Sequence, residues 1–498
     1  MPIFSNAPPM PCNYSVSEQP VGAGDGHGMV PQWLNGTYFH AVYRSNINVR
    51  RKPVCPELSG VLAVAFRPGR TPTASFEFVK GTCYKLACGT LDGEEAGGLN
   101  FVGSSAVTLS SACGDENICA VSAFPEAAVM SADRLVTSTE PAFTGSLGPR
   151  QTPYPAGFGP GVFSPGHMPT DADRRSYGIA YMHTPKPAYR LYRVAAPPAR
   201  TREVLADIPV SPQGNETEAL APSYNHQCVA ITPSFLILPE MPTRMPRWRF
   251  DWAALQRSWI PNGRLYYHIL SKKSGKVLGR FWLPPLFSWH NVNAFENATH
   301  IVLDAHFQAG PIAFNAFTGI PQNTSVYDWQ GVFGRVVFPN PLAPAAPREG
   351  AATMTRLSSR RDVSPEFGTV NPTHVWQRSA RFVWALATDD ASRHLTYLPN
   401  LIRIDTTAKD AESSVLRWSS GGQFGLTPPM FVPRNASQGA DSAAGVIVTV
   451  AVSQRGAAPA MLLFDAEDLT LLANLTLPIA PLEDTGLHNH FSAFPSSV

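Results

Sequence analysis

Two stretches of the chain, residues 266–284 and residues 460–478, share one design: an apolar strand-length run, a polar turn, an alternating strand, then Leu-Pro. A looser copy runs over residues 188–209. A hairpin that recurs at wide intervals marks an array of like units. A hairpin after which the chain drops to a new strand is the outer half of a four-stranded propeller blade. Elsewhere the pattern is short apolar runs closed by turns, as at residues 60–66, 135–139 and 382–386. With 48 prolines and 38 glycines among 498 residues, long helices have no room. At about 40–60 residues per blade the chain holds seven or eight blades. An all-β propeller is predicted.

Residues 1–28 are rich in Pro and Gly and read as a flexible N-terminal arm, and residues 29–498 as a single propeller domain. The arm ends in a glycine cluster, Gly22 to Gly28, with neither a preceding strand nor a following helix, so it is no phosphate loop. Net charge is +2 and the 39 Lys and Arg are scattered, which argues against a nucleic-acid partner. The 7 cysteines show no paired Cys spacing, so neither a disulfide framework nor a zinc ribbon is expected. No signal-peptide pattern and no 18-residue apolar run occur. The expectation is a soluble chain in a reducing compartment, in the cytoplasm or a plastid.

The segments behind the hairpins carry the chemistry. After Pro284 comes Trp289-His290-Asn291; after Pro478, Gly486-Leu487-His488-Asn489-His490; after Pro209, Asn225-His226-Gln227. A fourth histidine, His183, precedes the looser hairpin. Histidines that begin innermost strands would converge on the propeller axis, which is how distant positions build one metal site. His27, His40, His167, His268, His300, His306, His374 and His394 are read as ordinary core or surface residues. No HExxH and no GxSxG competes for the chemistry.

These segments resemble the carotenoid cleavage oxygenases, a family that includes apocarotenoid oxygenases, stilbene-cleaving enzymes and the vertebrate retinoid isomerase. The likeness begins at residues 28–36, continues through residues 132–140 and the four histidine segments, and includes residues 365–371, residues 429–433 and the closing residues 486–491. The resemblance implies a seven-bladed propeller, capped on one face by loops and short helices. It also implies one non-haem Fe(II) per chain on the axis, held by His183, His226, His290 and His488, with O2 as co-substrate and no catalytic residue beyond the metal centre. His490 is the local rival of His488. Two glutamates match those that the family places behind its ligands, Glu140 and Glu366, where a carboxylate fixes the imidazole tautomer. The third does not: Pro428 stands where the family has glutamate, which deprives one ligand, by order His488, of its partner. Gln227 likewise replaces an aspartate.

The activity so implied is O2-dependent scission of a conjugated carbon–carbon double bond of a carotenoid or apocarotenoid to aldehydes. Stilbene cleavage, retinoid-type isomerisation and a degenerate scaffold without catalysis stand as alternatives. The substrate would be an apolar polyene. Residues 245–260 place Trp252, Leu255, Trp259 and Ile260 on one helical face beside several arginines. With the resemblance, this predicts peripheral contact with a membrane surface.

Overall fold

The structure is a computed structural model describing residues 14–23, 28–45, 57–80, 107–110, 113, 117–122, 127–144, 167–182, 186–217, 221–223, 229–244, 258–309, 331–358, 363–388, 398–435, 439, 441–453, 458–479 and 489–493. Seven sheets follow one another along the chain, antiparallel apart from one added strand, Glu349–Ala351, that runs parallel to Val277–Leu283. The first strands of neighbouring sheets touch: Ala230–Ile231 meets Asn291–Glu296, which meets Val363–Thr369, and Met430–Pro433 meets Asn489–Ala493. Asn489–Ala493 in turn meets Val107–Ser110. These strands form the inner ring of a seven-bladed propeller. Asn489–Ala493 pairs with Gly36–Ser45, so the end of the chain closes the blade that its beginning starts.

The repeated hairpins form as expected. Leu265–Ser271 pairs with Val277–Leu283, and Ala460–Asp465 with Leu471–Thr476, each as the outer half of a sheet. Their turns are the same turn. The Ser271 N–H donates to the Lys276 carbonyl and the Gly275 N–H to the Ser271 carbonyl; Asp465, Thr470 and Leu469 repeat both bonds, as do Ser131, Val136 and Leu135. Each turn needs one residue in the left-handed region, supplied by Gly275 (φ 69°), Leu469 (φ 61°) and Leu135 (φ 55°).

A leucine there costs about 1–2 kcal/mol. Leu469 tolerates this because its side chain is buried against Trp384 and Phe464, and losing a buried leucine side chain costs roughly 2–5 kcal/mol. Packing wins. Leu469→Gly, though it relieves the backbone, is expected to lower stability by about 1–3 kcal/mol. A urea midpoint equal to or above wild type would show that backbone strain dominates instead.

The core lies between blades rather than at one centre. One apolar cluster joins the closing sheet to the last hairpin sheet through Val64, Phe76, Val448 and Leu463; another joins that sheet to its predecessor through Trp384, Phe431 and Phe464. Blade faces are apolar on both sides for this reason: Ser176–Met182 and Phe382–Thr388 are buried at every position.

Four expectations change. Part of the N-terminal arm is ordered: Val16–Pro20 pairs with Thr73–Phe78, and Gly22–Ala23 with Leu471–Thr476, so the arm covers the outer edges of two adjacent sheets. Val21 between them is buried, and its N–H donates to the Pro72 carbonyl. At Gly28 (φ 74°) a Cβ would lie 1.4 Å from the Leu472 carbonyl oxygen, so only glycine lets the chain pass. Cys113 and Cys119 form a disulfide, because Cys119 stands on a strand opposite Ser110 and the chain returns beside it, Cα–Cα 5.3 Å. Trp259, assigned to a membrane-facing surface, is partly buried and packs against a core cluster; residues 245–257 of that segment lie outside the described residues. Finally, no α-helix occurs among the described residues, and none of their segments is long and apolar enough to cross a membrane as a helix. The expected cap of short helices is therefore not seen among them.

Candidate metal centre

Of the four expected ligands, His290 is described; His183, His226 and His488 lie outside the described residues. His290 immediately precedes the innermost strand Asn291–Glu296 and is buried at 8 % exposure. Its carbonyl accepts the His306 N–H at 3.0 Å, which ties it to the next strand, His300–Phe307. Its Nδ1 lies 2.7 Å from Oε2 of Glu366, on the innermost strand Val363–Thr369 of the following blade. Burial pushes His290 down to about 3, so the ring is neutral, and against an ionised Glu366 its Nδ1–H is the donor. The lone pair is then on Nε2, the tautomer that a metal ligand requires.

Glu366 is pushed up to about 7, chiefly by burial, against the pull of His306 and of the Phe367 N–H, which reaches Oε2 at 3.3 Å. Its other oxygen, Oε1, is buried with no hydrogen-bond partner among the described residues. A nearby cation would offset that cost. The strand holding Glu366 bulges on both sides of it, and Phe367 sits at φ 59°, its ring 4.9 Å from that of His290. Asn293, of the same motif as His290, is fully buried and fixes the following turn: its Oδ1 accepts the Trp376 N–H and its Nδ2 donates to the Arg378 carbonyl.

The structure adds a histidine to which the sequence pattern assigns no role. The His167 ring stands edge-on to His290, with centroids 5.4 Å apart at 64°. Two imidazoles on one ion at ordinary bond lengths and angles have centroids roughly 4.5–5.5 Å apart. His167 opens a short stretch whose Thr170 bridges Ser176, at the start of the strand Ser176–Met182; that strand pairs with Ala188–Val194, and His183 lies outside the described residues. The strand described next to His183 ends just before it, at Met182. The signal that could have found His167 is the onset of the apolar run at Tyr177, which places the strand after His167 and before His183.

The remaining expected residues are only flanked. Glu140 lies on the strand Thr137–Pro141, its side chain outside the described residues. Near His226, Tyr189 accepts the Ser223 N–H at 2.8 Å and meets its hydroxyl at 2.7 Å. Next to His488, Asn489 donates through Nδ2 to the carbonyl of Pro428. The position that lacks a glutamate thus holds, by its backbone oxygen, the residue that follows the expected ligand. His490 stacks on Phe39 at 6.5 Å. Among the described residues no three His, Cys, Asp or Glu side chains form a metal-holding group.

Known proteins share both the sequence pattern and the fold. The family model described as retinal pigment epithelial membrane protein matches residues 11–493. The chain is 24 % identical over 319 residues to the chloroplastic carotenoid cleavage dioxygenase 8 of Arabidopsis thaliana, a match that covers 59 % of this chain and 50 % of that protein. It thus spans about half the length of that curated relative. The lignostilbene dioxygenase of Pseudomonas brassicacearum superposes with a TM-score of 0.69 at 14 % identity, covering 99 % of this chain and 98 % of that one. Cobalt-substituted apocarotenoid oxygenase of Synechocystis superposes with a TM-score of 0.68 at 16 % identity, covering 96 % of each. With the family model matched almost end to end and the fold shared, the chain belongs to the retinal pigment epithelial membrane protein family, the carotenoid cleavage oxygenases that its histidine segments resemble.

Proposed function

We propose that the protein is a non-haem Fe(II) dioxygenase that splits a conjugated carbon–carbon double bond of an apolar polyene into two carbonyl products. The observation that carries this is the His290–Glu366 pair, a buried neutral imidazole oriented by a buried carboxylate at the inner ring, with a second imidazole, His167, beside it. The donor set suits a divalent ion: imidazole nitrogen with an oriented tautomer, and a carboxylate oxygen whose burial a cation would compensate. The holding residues in this reading are His226, His290 and His488, with His167 taking the fourth place in preference to His183. Bound there, the ion would supply activation of O2 beside the alkene.

The chain's own part is positioning and exclusion of water. Glu366 keeps the His290 tautomer, and Phe367 lays its apolar ring against that of His290 at 4.9 Å. A dry, shaped pocket around the centre would hold one double bond in place and keep water from the reaction.

The direct test is aerobic incubation with β-carotene, an apocarotenal and resveratrol under 18O2, with mass analysis of the carbonyl products. Label in both product halves from one polyene is the expected result. Cleavage of resveratrol alone would move the substrate class to stilbenes, and a protein purified without iron and inert to all three would be a scaffold. The ligand assignment has its own test: His167→Ala is expected to lose iron and activity, whereas His183→Ala keeps both. The reverse outcome would restore the order read from the sequence.

A further inference from the structure

We propose that His306 is the positioning residue that fixes the Glu366 carboxylate against His290, by accepting the Gly368 N–H on its Nε2. The strand Val363–Thr369 needs such a device. Its ladder to the next strand registers at Val363, Glu366 and Thr369 but shifts between each, so regular pairing does not hold the residues between them. Phe367 occupies the left-handed region, which a non-glycine residue keeps only when its surroundings hold it there.

His306 meets that turn from the side. Its Nε2 accepts the Gly368 N–H at 2.9 Å, while its Nδ1 makes no hydrogen bond among the described residues. The ring therefore touches the chain just beyond Glu366, at Gly368. Its backbone N–H bonds the carbonyl of His290, so one residue couples the imidazole's strand to the carboxylate's turn. His306 is fully buried, its ring 5.1 Å from that of Phe333, and has no freedom to turn away. Gly368 completes the fit: a Cβ there would lie 2.7 Å from the His306 Nε2 and 2.6 Å from a methyl of Val292. Acceptance of an N–H requires the neutral ring, with its proton on Nδ1. Nothing in the cleavage reaction calls on His306 directly; its role is exerted through Glu366.

The first measurement is independent of any metal. In the metal-free wild type, a scalar coupling across the hydrogen bond between the Gly368 amide nitrogen and the His306 Nε2 is expected, together with a downfield His290 Nδ1–H proton resonance that disappears in Glu366→Gln. Absence of that coupling overturns the inference, whatever any variant does. His306→Phe, which fills the volume without an acceptor, should lose the downfield resonance, and His306→Gln, whose amide oxygen can take the same N–H, should keep it. The second measurement rests on the proposed metal centre. Competition with a chelator should show iron or cobalt bound about 10–100-fold more weakly by His306→Phe, and within a few-fold of wild type by His306→Gln. Equal losses in both variants would reduce His306 to a packing residue. A wild type that binds no metal overturns the proposed function and leaves the coupling and the proton resonance to decide this inference.

Discussion

Replacing His290 with alanine is expected to abolish alkene cleavage and to strip the protein of iron while leaving the propeller folded. Loss of an outer carboxylate partner costs a metal site roughly 10–100-fold in affinity, and loss of the ligand itself costs more. The variant also leaves the buried Glu366 without the donor that it meets at 2.7 Å, a penalty of about 1–3 kcal/mol that a protein of this size should survive. Iron content by atomic absorption, activity and a thermal melt separate these effects. Retained iron with lost activity would mean that His290 acts on substrate rather than on metal.

The largest loss of stability is expected from Trp384→Ala. Trp384 is fully buried, stacks on Phe431 at 4.4 Å and 7°, and donates Nε1–H to the Ala466 carbonyl at 2.9 Å. Removing a buried aromatic costs about 3–5 kcal/mol, and the orphaned carbonyl roughly 1 kcal/mol more. Trp384→Phe keeps a ring on Phe431 and should lose less than half as much. Denaturant unfolding measures both. The effect should reach the metal centre too, since Trp384 pairs in register with Thr369 at the end of the strand that carries Glu366. A stability loss below about 1 kcal/mol would show that the neighbouring blades repack around the void.

The architecture was legible because a propeller repeats itself. The two hairpins that end in Leu-Pro read the same in sequence and fold through the same turn, and the histidine after Pro284 falls where the inner strand starts. His290 and Glu366 were legible for a different reason: each stands in a dense motif whose neighbours, Asn293 and Phe367, are tied to the same place. His167 was not. Its nearest signal is the onset of a strand nine positions later, and periodicity fixes strand starts poorly when every residue of the strand is buried, as in Ser176–Met182. The ordered arm gives no signal because Val16 and Val21 are isolated apolar residues among polar ones, and only the blade edges that they meet give them a reason to pack. The Cys113–Cys119 bond depends on hairpin register, which cysteine spacing does not encode. His306 looks ordinary in sequence because its importance lies in a single bond to a backbone N–H sixty-two positions away.

The pairing of Asn489–Ala493 with Gly36–Ser45 sets an order on biosynthesis. A ribosome releases the first blade's strands hundreds of residues before their innermost partner exists, so that blade waits with an open edge throughout translation, a template for wrong pairing. Only when the last segment emerges does the edge close, and that segment brings His488 directly ahead of it. The proposed set of imidazoles thus stays incomplete until His488 has been made. In the proposed centre, metal loading would wait for the closed ring, and a chain cut ahead of His488 would lose ring closure and a proposed ligand in one stroke.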